Sequence, residues 1–122
     1  MEAILIVGHG SRSSQAQSDF ENVINMVDKK LTKELVRGAH MENAHPNIPT
    51  VIQNILNEQP ETKTIKVVPY FLYSGIHIKE DIPEILEDMR EQYPNIDFKL
   101  GKAIGAHKSM ADILVERVSE LS

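Results

Sequence analysis

Short apolar runs alternate with amphipathic segments along the whole chain, and this alternation limits the possible folds more than any other feature of the sequence. The apolar runs cover residues 3–7, 34–42, 64–72 and 96–100, lengths that are typical of β-strands. Between these runs and after the last one, apolar residues recur at steps of three and four, which predicts amphipathic helices. The resulting order, β-α-β-α-β-α-β-α, favours a parallel sheet with helices on both faces.

The composition of the four runs predicts the order of the strands in this sheet. Residues 3–7 and 64–72 are the most continuously apolar, which is typical of central strands buried on both faces. Residues 34–42 are interrupted by Gly38, and residues 96–100 alternate between apolar and charged side chains, so we place both at the edges. We therefore predict an α/β fold with a four-stranded parallel sheet of order 2-1-3-4, a flavodoxin-like half-domain.

Prolines and capping residues predict where the helices begin. The first helix is expected over residues 13–32, Pro49 suits the first turn of the second helix, and Pro83 suits the opening turn of the third. Ser109, with Asp112 three residues later, resembles a capping box for the last helix. A buried stripe is expected on that helix, formed by Met110, Ile113, Leu114, Val118 and Leu121.

Length and composition favour one soluble domain over residues 1–122. Thirteen basic and eighteen acidic residues give a net charge of −5, which argues against nucleic acid as a partner. The sequence contains no Cys, which excludes disulfides and thiolate metal sites. The apolar start of the chain is too short for a signal peptide or a membrane span, so we expect a cytoplasmic protein without a membrane partner.

Ligands of parallel α/β sheets bind beyond the carboxyl ends of the strands, so the residues after each predicted strand carry the most information about function. The first strand runs into Gly8-His9-Gly10-Ser11-Arg12, the second into Glu42 and His45, the third into His77 and the fourth into His107. Four of the five histidines and one glutamate are thus predicted to lie at one edge of the sheet. This clustering indicates a functional site at that edge.

His9, between two glycines, is the most specific feature of this edge. Glycines in a strand-to-helix turn let the backbone approach a ligand closely. His77 follows the neighbouring central strand in a predicted loop, and Glu42 follows the edge strand on the other side. Two imidazoles and a carboxylate form a donor set that suits cobalt, nickel or iron, so the pattern favours a divalent-metal site.

Other functions fit parts of the same pattern. The segment Gly8 to Arg12 at a helix N-terminus also suits a phosphate or carboxylate, so a non-catalytic flavodoxin-like module that binds an anion or nucleotide stays open. A metal carrier that passes an ion to another protein is the second alternative. His45 and His107 are expected at the surface or behind the ligands, and His40, inside an edge strand, is expected to be structural.

Three segments are informative in combination. They are Ile4-Leu5-Ile6-Val7-Gly8-His9-Gly10-Ser11-Arg12, then Val67 through His77 with Asp81-Ile82-Pro83, and finally Ile104-Gly105-Ala106-His107. In these segments the chain resembles the short-form sirohydrochlorin chelatases of the class II chelatase superfamily, which insert cobalt, nickel or iron into sirohydrochlorin. That family usually has Pro after the late histidine, where Lys108 stands here.

The resemblance implies a role for each matching residue. His9 would bind the metal and act as a general base, His77 would be its partner ligand, and Glu42 would bind substrate or metal or accept a proton. The residues expected to bind substrate are Ser11, Arg12, Glu42, Leu72, Tyr73, Ser74, Gly75, Ile76 and His77. Arg12, Lys79 and Lys102 are available to neutralise the carboxylates of the substrate.

The chemistry of metal insertion fits this donor set. A divalent ion must enter the ring while pyrrole N–H protons leave, and a histidine, whose pKa is ordinarily near ~6.5, can be both ligand and proton acceptor. We expect no permanently bound cofactor. The resemblance implies Co²⁺ as the first candidate for the substrate metal, with Ni²⁺ or Fe²⁺ as alternatives, and the His and carboxylate ligands themselves suit all three. A flat tetrapyrrole needs a wall on each side, so we expect a homodimer whose carboxyl edges enclose one shared cleft.

Overall fold

The chain folds into a four-stranded parallel sheet with helices on both faces, as the alternating pattern predicts. The computed structural model describes residues 1–72 and 76–121, and of residues 76–79 it describes the backbone alone. The elements in chain order are β1 (Glu2–Gly8), α1 (Ser14–Lys30), β2 (Leu35–His40), α2 (Ile48–Glu58), β3 (Thr64–Tyr70), α3 (Ile76–Gln92), β4 (Asp97–Leu100) and α4 (Lys108–Ser119). The strand order β2-β1-β3-β4 confirms the predicted order 2-1-3-4. None of the helices in the described residues is long and apolar enough to cross a lipid bilayer.

The larger core lies on the face of the sheet that α2 and α3 cover. Alternate residues of β1 and β3, among them Leu5, Val7 and Val67, belong to this core and are fully buried. Helix α2 contributes Ile52 and Ile55 to the same core. Burial of one side chain of this size stabilises the fold by about 1.5–3 kcal/mol. This layer therefore fixes the positions of the two central strands, whose carboxyl ends precede the predicted site.

The opposite face of the sheet is covered only in part. Helix α1 packs Phe20, Ile24 and Val27 against residues of β1 and β2. Over β3, on the same face, Val68 and Tyr70 each keep 39% of their surface exposed. Tyr70 touches the edge of α1, because its ring lies 5.8 Å from that of Phe20. In the described part of the chain, α1 thus covers the β1–β2 half of this face and leaves the β3 half open.

Helix α3 begins earlier than the sequence predicts. Pro83 is expected in the opening turn, but α3 begins at Ile76, so Pro83 lies inside the helix. A proline inside a helix removes one backbone hydrogen bond, and the buried residues Ile82 and Leu86 on either side of it anchor the helix to the core. His77, which is predicted in a loop, therefore belongs to the first turn of α3.

Two predictions for the last helix are wrong. The N-cap of α4 is His107, whose Nδ1 accepts a hydrogen bond from the backbone N–H of Ser109 (3.1 Å), so the Ser109–Asp112 capping box does not start the helix. The predicted stripe of Met110, Ile113, Leu114, Val118 and Leu121 exists, but no residue of α4 is buried. Helical periodicity predicts which side of a helix is apolar, but it does not show whether the same chain covers that side.

Candidate active site

The turn after β1 depends on a glycine. Gly10 has a φ of +99°, in the region where residues with a Cβ are strained. A Cβ at this position would overlap the backbone carbonyl oxygen of Glu42. Gly10 therefore allows the turn after β1 to lie directly against the turn after β2.

His9 and Glu42 meet where these two turns touch. The backbone N–H of Glu42 donates to the carbonyl oxygen of His9 (3.3 Å), and that of Met41 donates to the carbonyl oxygen of Gly8 (3.0 Å). Because the backbones of the two turns are bonded to each other, the two side chains also lie close together, with His9 Nε2 3.8 Å from Glu42 Oε1. Both side chains are accessible from solvent, since 62% of His9 and 61% of Glu42 is exposed.

The separation of these two atoms suits a metal ion between them. An ion about 2.1 Å from each atom fits between two atoms that are 3.8 Å apart, whereas this separation is too long for a direct hydrogen bond. Among the residues with described side chains, no group of three or more His, Cys, Asp or Glu residues forms a complete metal site. His9 and Glu42 thus form an open pair of donors, which leaves most of the coordination sphere of an ion to other groups.

A buried aromatic ring orients His9. Phe71, directly after β3, is only 7% exposed and belongs to the larger core. Its ring meets the imidazole of His9 edge-on, with centroids 5.9 Å apart and an interplanar angle of 88°. Such edge-to-face contacts favour one ring orientation. Phe71 therefore connects the orientation of the exposed imidazole to the core of the sheet.

The residues between this turn and the first turn of α1 form hydrogen bonds with one another. Ser13, the N-cap, accepts a hydrogen bond from the N–H of Ala16 (3.3 Å), and Ser11 Oγ accepts one from the N–H of Ser13 (3.0 Å). The side-chain amide of Gln17 donates to the carbonyl oxygen of Ser11 (2.7 Å). These bonds occupy the N–H groups of Ser13 and Ala16, so fewer backbone donors remain for a phosphate at this helix N-terminus.

A cavity of about 210 Å³ opens beside the turn after β1. Its walls are Gly8, His9, Gly10, Ser11, Ala16, Gln17, Phe20, His40 and Tyr70. A larger cavity of about 530 Å³ lies at the opposite edge of the sheet, before β3 and β4, and its lining contains no histidine. The smaller cavity is the candidate site because His9 and His40, side chains of a type that can bind a metal ion, line it.

His40 is the histidine of this cavity that the sequence does not assign to the site. It is the last residue of β2, paired with Gly8, and only 6% of it is exposed. Its ring lies 5.0 Å from that of Phe20. Burial lowers the pKa of His40 below the ordinary histidine value, an effect that the carboxylate of Glu21 opposes. The position of His40 at the carboxyl end of a strand is the signal that could have placed it here.

The other predicted residues have different outcomes. Arg12 and Lys102 are exposed, as a role at the mouth of the site requires, and Leu72 is 49% exposed directly after Phe71. His45 is exposed in the turn between β2 and α2. Outside the described residues or side chains lie Tyr73, Ser74, Gly75, Ile76, His77 and Lys79.

Comparisons with known proteins agree on one family. The profile of the CbiX family matches residues 3–121. A sirohydrochlorin cobaltochelatase of Methanococcoides burtonii is 34% identical over 97% of this chain and 95% of its own length. A chloroplastic sirohydrochlorin ferrochelatase of Arabidopsis thaliana is 31% identical over 96% of this chain, but the chain spans about half (51%) of that protein. The cobalt complex of the sirohydrochlorin chelatase SirB from Bacillus subtilis subspecies spizizenii superposes with a TM-score of 0.90 at 28% identity, over 98% of this chain and 50% of that one.

Proposed function

Because the chain belongs to the CbiX family, we propose that it is a sirohydrochlorin chelatase, which inserts a divalent metal ion into this tetrapyrrole. The observation that carries the proposal is the open pair of His9 and Glu42 at the carboxyl edge. The archaeal relative that matches over nearly its whole length is named a cobaltochelatase, which supports Co²⁺ as the first candidate metal. The plant relative is named a ferrochelatase, which supports Fe²⁺ as the second candidate. Ni²⁺ is the third candidate because imidazole and carboxylate ligands also suit it.

An open pair of donors suits a metal that has to be released. Structural metal sites surround the ion with four protein ligands and retain it. The two donors here leave coordination positions for the nitrogens of the macrocycle, so the ion can pass to the substrate. Solvent exposure of His9 and Glu42 allows a ligand as large as a tetrapyrrole to approach both side chains.

The same two residues can take up the protons that leave the macrocycle. Insertion releases two pyrrole N–H protons: His9 accepts one as the general base once the ion has left its Nε2, and the carboxylate of Glu42 accepts the other. The carboxylate of Glu42, 3.8 Å from Nε2, stabilises the imidazolium that forms. Phe71 keeps the imidazole in one orientation during this transfer. His9 is therefore both ligand and base, and Glu42 supports both roles.

His77 is proposed as the second histidine ligand. Its side chain lies outside the described part of the structure, and the proposal comes from its place in the chain. Helix α3 begins at Ile76, just beyond the carboxyl end of β3, which neighbours β1 in the sheet. We propose Leu72 through Ile76 as the wall that lines the macrocycle, with Ser11 and Arg12 contacting its carboxylates on the other side.

A second copy of the chain is proposed as the other wall of the cleft. The chain spans about half of the plant relative and half of the Bacillus subtilis structure, and the site on this half is open to solvent. A two-fold axis would bring the carboxyl edges of two copies together and enclose one shared cavity. This arrangement provides a flat ligand with protein on both sides.

Metal insertion can be followed through the absorbance of sirohydrochlorin with Co²⁺, Fe²⁺ and Ni²⁺ in turn, with the uncatalysed rate for each ion subtracted. We expect His9→Ala and His77→Ala each to lose nearly all insertion, because each removes a ligand. His45→Ala, which changes another exposed histidine, is the matched control and should keep the wild-type rate. Circular dichroism of each variant shows whether the fold is retained.

Other outcomes separate the alternatives. Insertion at the wild-type rate by folded His9→Ala would contradict the role of His9. Tight Co²⁺ binding without any affinity for sirohydrochlorin would identify a metal carrier. Phosphate or nucleotide binding that is unchanged in His77→Ala, with no insertion by the wild type, would identify an anion-binding module.

A further inference from the structure

A row of three residues crosses the carboxyl end of the sheet on the face that α1 covers. Gly8, at the end of β1, is paired with His40 of β2 on one side and with Tyr70 of β3 on the other. Paired residues of neighbouring parallel strands lie on the same face of the sheet, and the strands are about 4.8 Å apart. The imidazole of His40 and the phenol of Tyr70 therefore flank a position that has no side chain of its own.

The ring of Phe20 forms the base of this gap. A Cβ at Gly8 would lie 2.9 Å from the Phe20 ring, so the ring packs directly over Gly8. The ring centroid of Phe20 lies 5.0 Å from that of His40 and 5.8 Å from that of Tyr70. One side chain of α1 thus contacts all three members of the row and positions both polar rings.

The polar atoms of these two rings are available to a ligand. Among the described residues, none forms a hydrogen bond with the ring nitrogens of His40 or with the hydroxyl of Tyr70. His40 is only 6% exposed, and the described part of the chain has no fully buried side-chain nitrogen or oxygen without a partner. The unbonded nitrogens of His40 are therefore reached from a cavity that this residue lines.

The cavity of about 210 Å³ beside the turn after β1 is the space between these rings and that turn. Its walls include His9, so it adjoins the donor pair of His9 and Glu42. Pockets that enclose a whole small ligand measure ~300–1,000 Å³, whereas one water molecule takes up about 30 Å³. The cavity is thus too small for a macrocycle but large enough for a short arm of one.

The walls of this cavity offer hydrogen-bond donors and no negative charge. An imidazole has at least one N–H, and a phenol has an O–H. Ser11 Oγ accepts a bond from the N–H of Ser13, which leaves its own proton to donate, and Gln17 uses its side-chain amide for the carbonyl oxygen of Ser11. Among the described residues, none that line the cavity is Asp or Glu. Such walls favour a carboxylate, because hydrogen bonds to an ionised acceptor are the stronger ones.

Two other cavities differ in this respect. Glu61 lines the large cavity at the amino edge, and Glu21 lines a cavity of about 170 Å³ that His40 also borders. The charge of either glutamate would repel a carboxylate ligand. Of the two cavities that His40 lines, the one that adjoins His9 is therefore the one that suits an anion.

We propose that this cavity is a subsite for one carboxylate arm of the tetrapyrrole, with His40 and Tyr70 donating hydrogen bonds to the carboxylate and Phe20 packing against the alkyl part of the arm. The proposal rests on the proposed function and gives one arm of its substrate a specific place. Sirohydrochlorin carries its carboxylates on short alkyl arms, which fit an apolar base with polar walls. An arm bound here fixes the rotation of the macrocycle over the donor pair of His9 and Glu42.

Binding of metal-free sirohydrochlorin, followed through its own fluorescence, tests the subsite without metal insertion. We expect its Kd to rise about tenfold in His40→Leu, which loses a hydrogen bond to a charged group. A smaller rise is expected in Tyr70→Phe, because Tyr70 is more exposed. His45→Leu and Tyr93→Phe make the same changes at an exposed histidine and at a tyrosine of the amino edge, and both should keep the wild-type Kd.

The kinetics of insertion separate a binding role from a structural one. His40→Leu and Tyr70→Phe should raise the KM for sirohydrochlorin by the factor seen in the Kd, and kcat should stay near the wild-type value, because neither variant changes His9 or Glu42. His40→Gln, which keeps an N–H donor, should have a KM between those of the wild type and His40→Leu. A fall in kcat with an unchanged KM would overturn the subsite, because His40 would then act through the donor pair.

Propionate distinguishes an arm of the substrate from a separate small carboxylate. In the wild type, propionate should weaken the binding of sirohydrochlorin more than sodium chloride does at the same ionic strength, and in His40→Leu this difference should be lost. A wild-type Kd for sirohydrochlorin in both folded variants, His40→Leu and Tyr70→Phe, would overturn the proposal. Circular dichroism shows whether each variant is folded, and Tyr70→Phe, which removes a single hydroxyl, keeps the test decisive if His40→Leu is not.

The subsite and the proposed function fail in different ways. If the variants weaken the binding of sirohydrochlorin but the wild type inserts no metal, the chelatase assignment is wrong and the subsite stands. If the folded variants bind sirohydrochlorin and insert metal as the wild type does, the subsite is wrong and the assignment stands. A wild type that does not bind sirohydrochlorin would contradict both.

Discussion

The two edges of the sheet are built from the same strands but differ in what their polar groups do. At the amino edge, Thr62 is buried, and its hydroxyl donates to the carbonyl of Gln59 (2.8 Å) and accepts from the side-chain amide of the same residue (2.7 Å). At the carboxyl edge, His9 and Glu42 are exposed and 3.8 Å apart, with no hydrogen bond between them. The polar side chain of Thr62 at the amino edge is thus used in hydrogen bonds within the chain, whereas those of His9 and Glu42 at the carboxyl edge remain available to bind a ligand.

The candidate site does not coincide with the larger of the two cavities at these edges. The amino edge has the larger cavity, about 530 Å³, between turns whose polar groups bond to one another. The carboxyl edge has about 210 Å³, but its walls include two histidines and a glycine in a conformation that only glycine adopts easily. A glycine-dependent turn and histidine side chains are the features that make the carboxyl edge the candidate site.

The largest expected effect comes from a change in the glycine turn. Gly10→Ala places a Cβ on a residue with φ of +99° and against the Glu42 carbonyl, so the turns after β1 and β2 must separate. A residue held in such a region is destabilised by about 1–3 kcal/mol. Displacement of His9 by about 1 Å is expected to reduce metal insertion by about 10²-fold.

Gly101→Ala is the control for this variant. A Cβ at Gly101 would make only an ordinary contact, 3.5 Å from the carbonyl oxygen of Val67. Urea unfolding and insertion rates measured on both variants separate backbone strain from a general effect of adding a methyl group. Wild-type stability and rate in Gly10→Ala would show that the contact between the two turns is not needed.

A smaller effect is expected when one charge is removed at each edge. Glu42→Gln keeps the shape of the side chain but removes its charge and basicity, and it should slow insertion by about tenfold or more. Glu61→Gln makes the same change in an exposed residue that lines the cavity at the amino edge, and it should leave the rate unchanged. Equal effects of the two variants would mean that the carboxyl edge has no special role for a carboxylate.

The sequence predicts the fold well because apolar continuity and buried position have the same cause. Residues 3–7 are apolar throughout because β1 is covered on both faces. A strand covered on both faces lies at the centre of the sheet, and this predicts the observed strand order. The glycine turn is also visible in the sequence, since Gly8 and Gly10 flank His9 directly after that strand. The sequence does not give the distance between His9 and Glu42, which depends on how two turns pack.

The failures of sequence reasoning have a different origin. Pro83 is a common signal for a helix start, but here packing of Ile82 and Leu86 extends the helix on both sides of it. The stripe on α4 is correct as a pattern, and what covers it depends on a surface outside the helix. His40 is expected to be structural because it lies in a strand, although that position also brings it to the wall of the cavity.

The smallest expected effect concerns the pH dependence of stability, and it comes from the buried His40. Burial lowers the pKa of His40 in the folded protein, although Glu21 opposes the shift, so the unfolded chain binds a proton more readily at this residue than the folded chain does. The contribution of His40 is then fully present above the unfolded pKa of about 6.5. It is lost progressively as the pH falls from there toward the lower pKa of the folded state.

The free energy of unfolding in urea, measured at about pH 7.5 and about pH 5.5 on either side of that ordinary value, should therefore fall more in the wild type than in His40→Gln. His45→Gln, at an exposed position, should keep the wild-type difference, and an equal loss of stability in wild type and His40→Gln would show that His40 keeps its ordinary pKa in the fold.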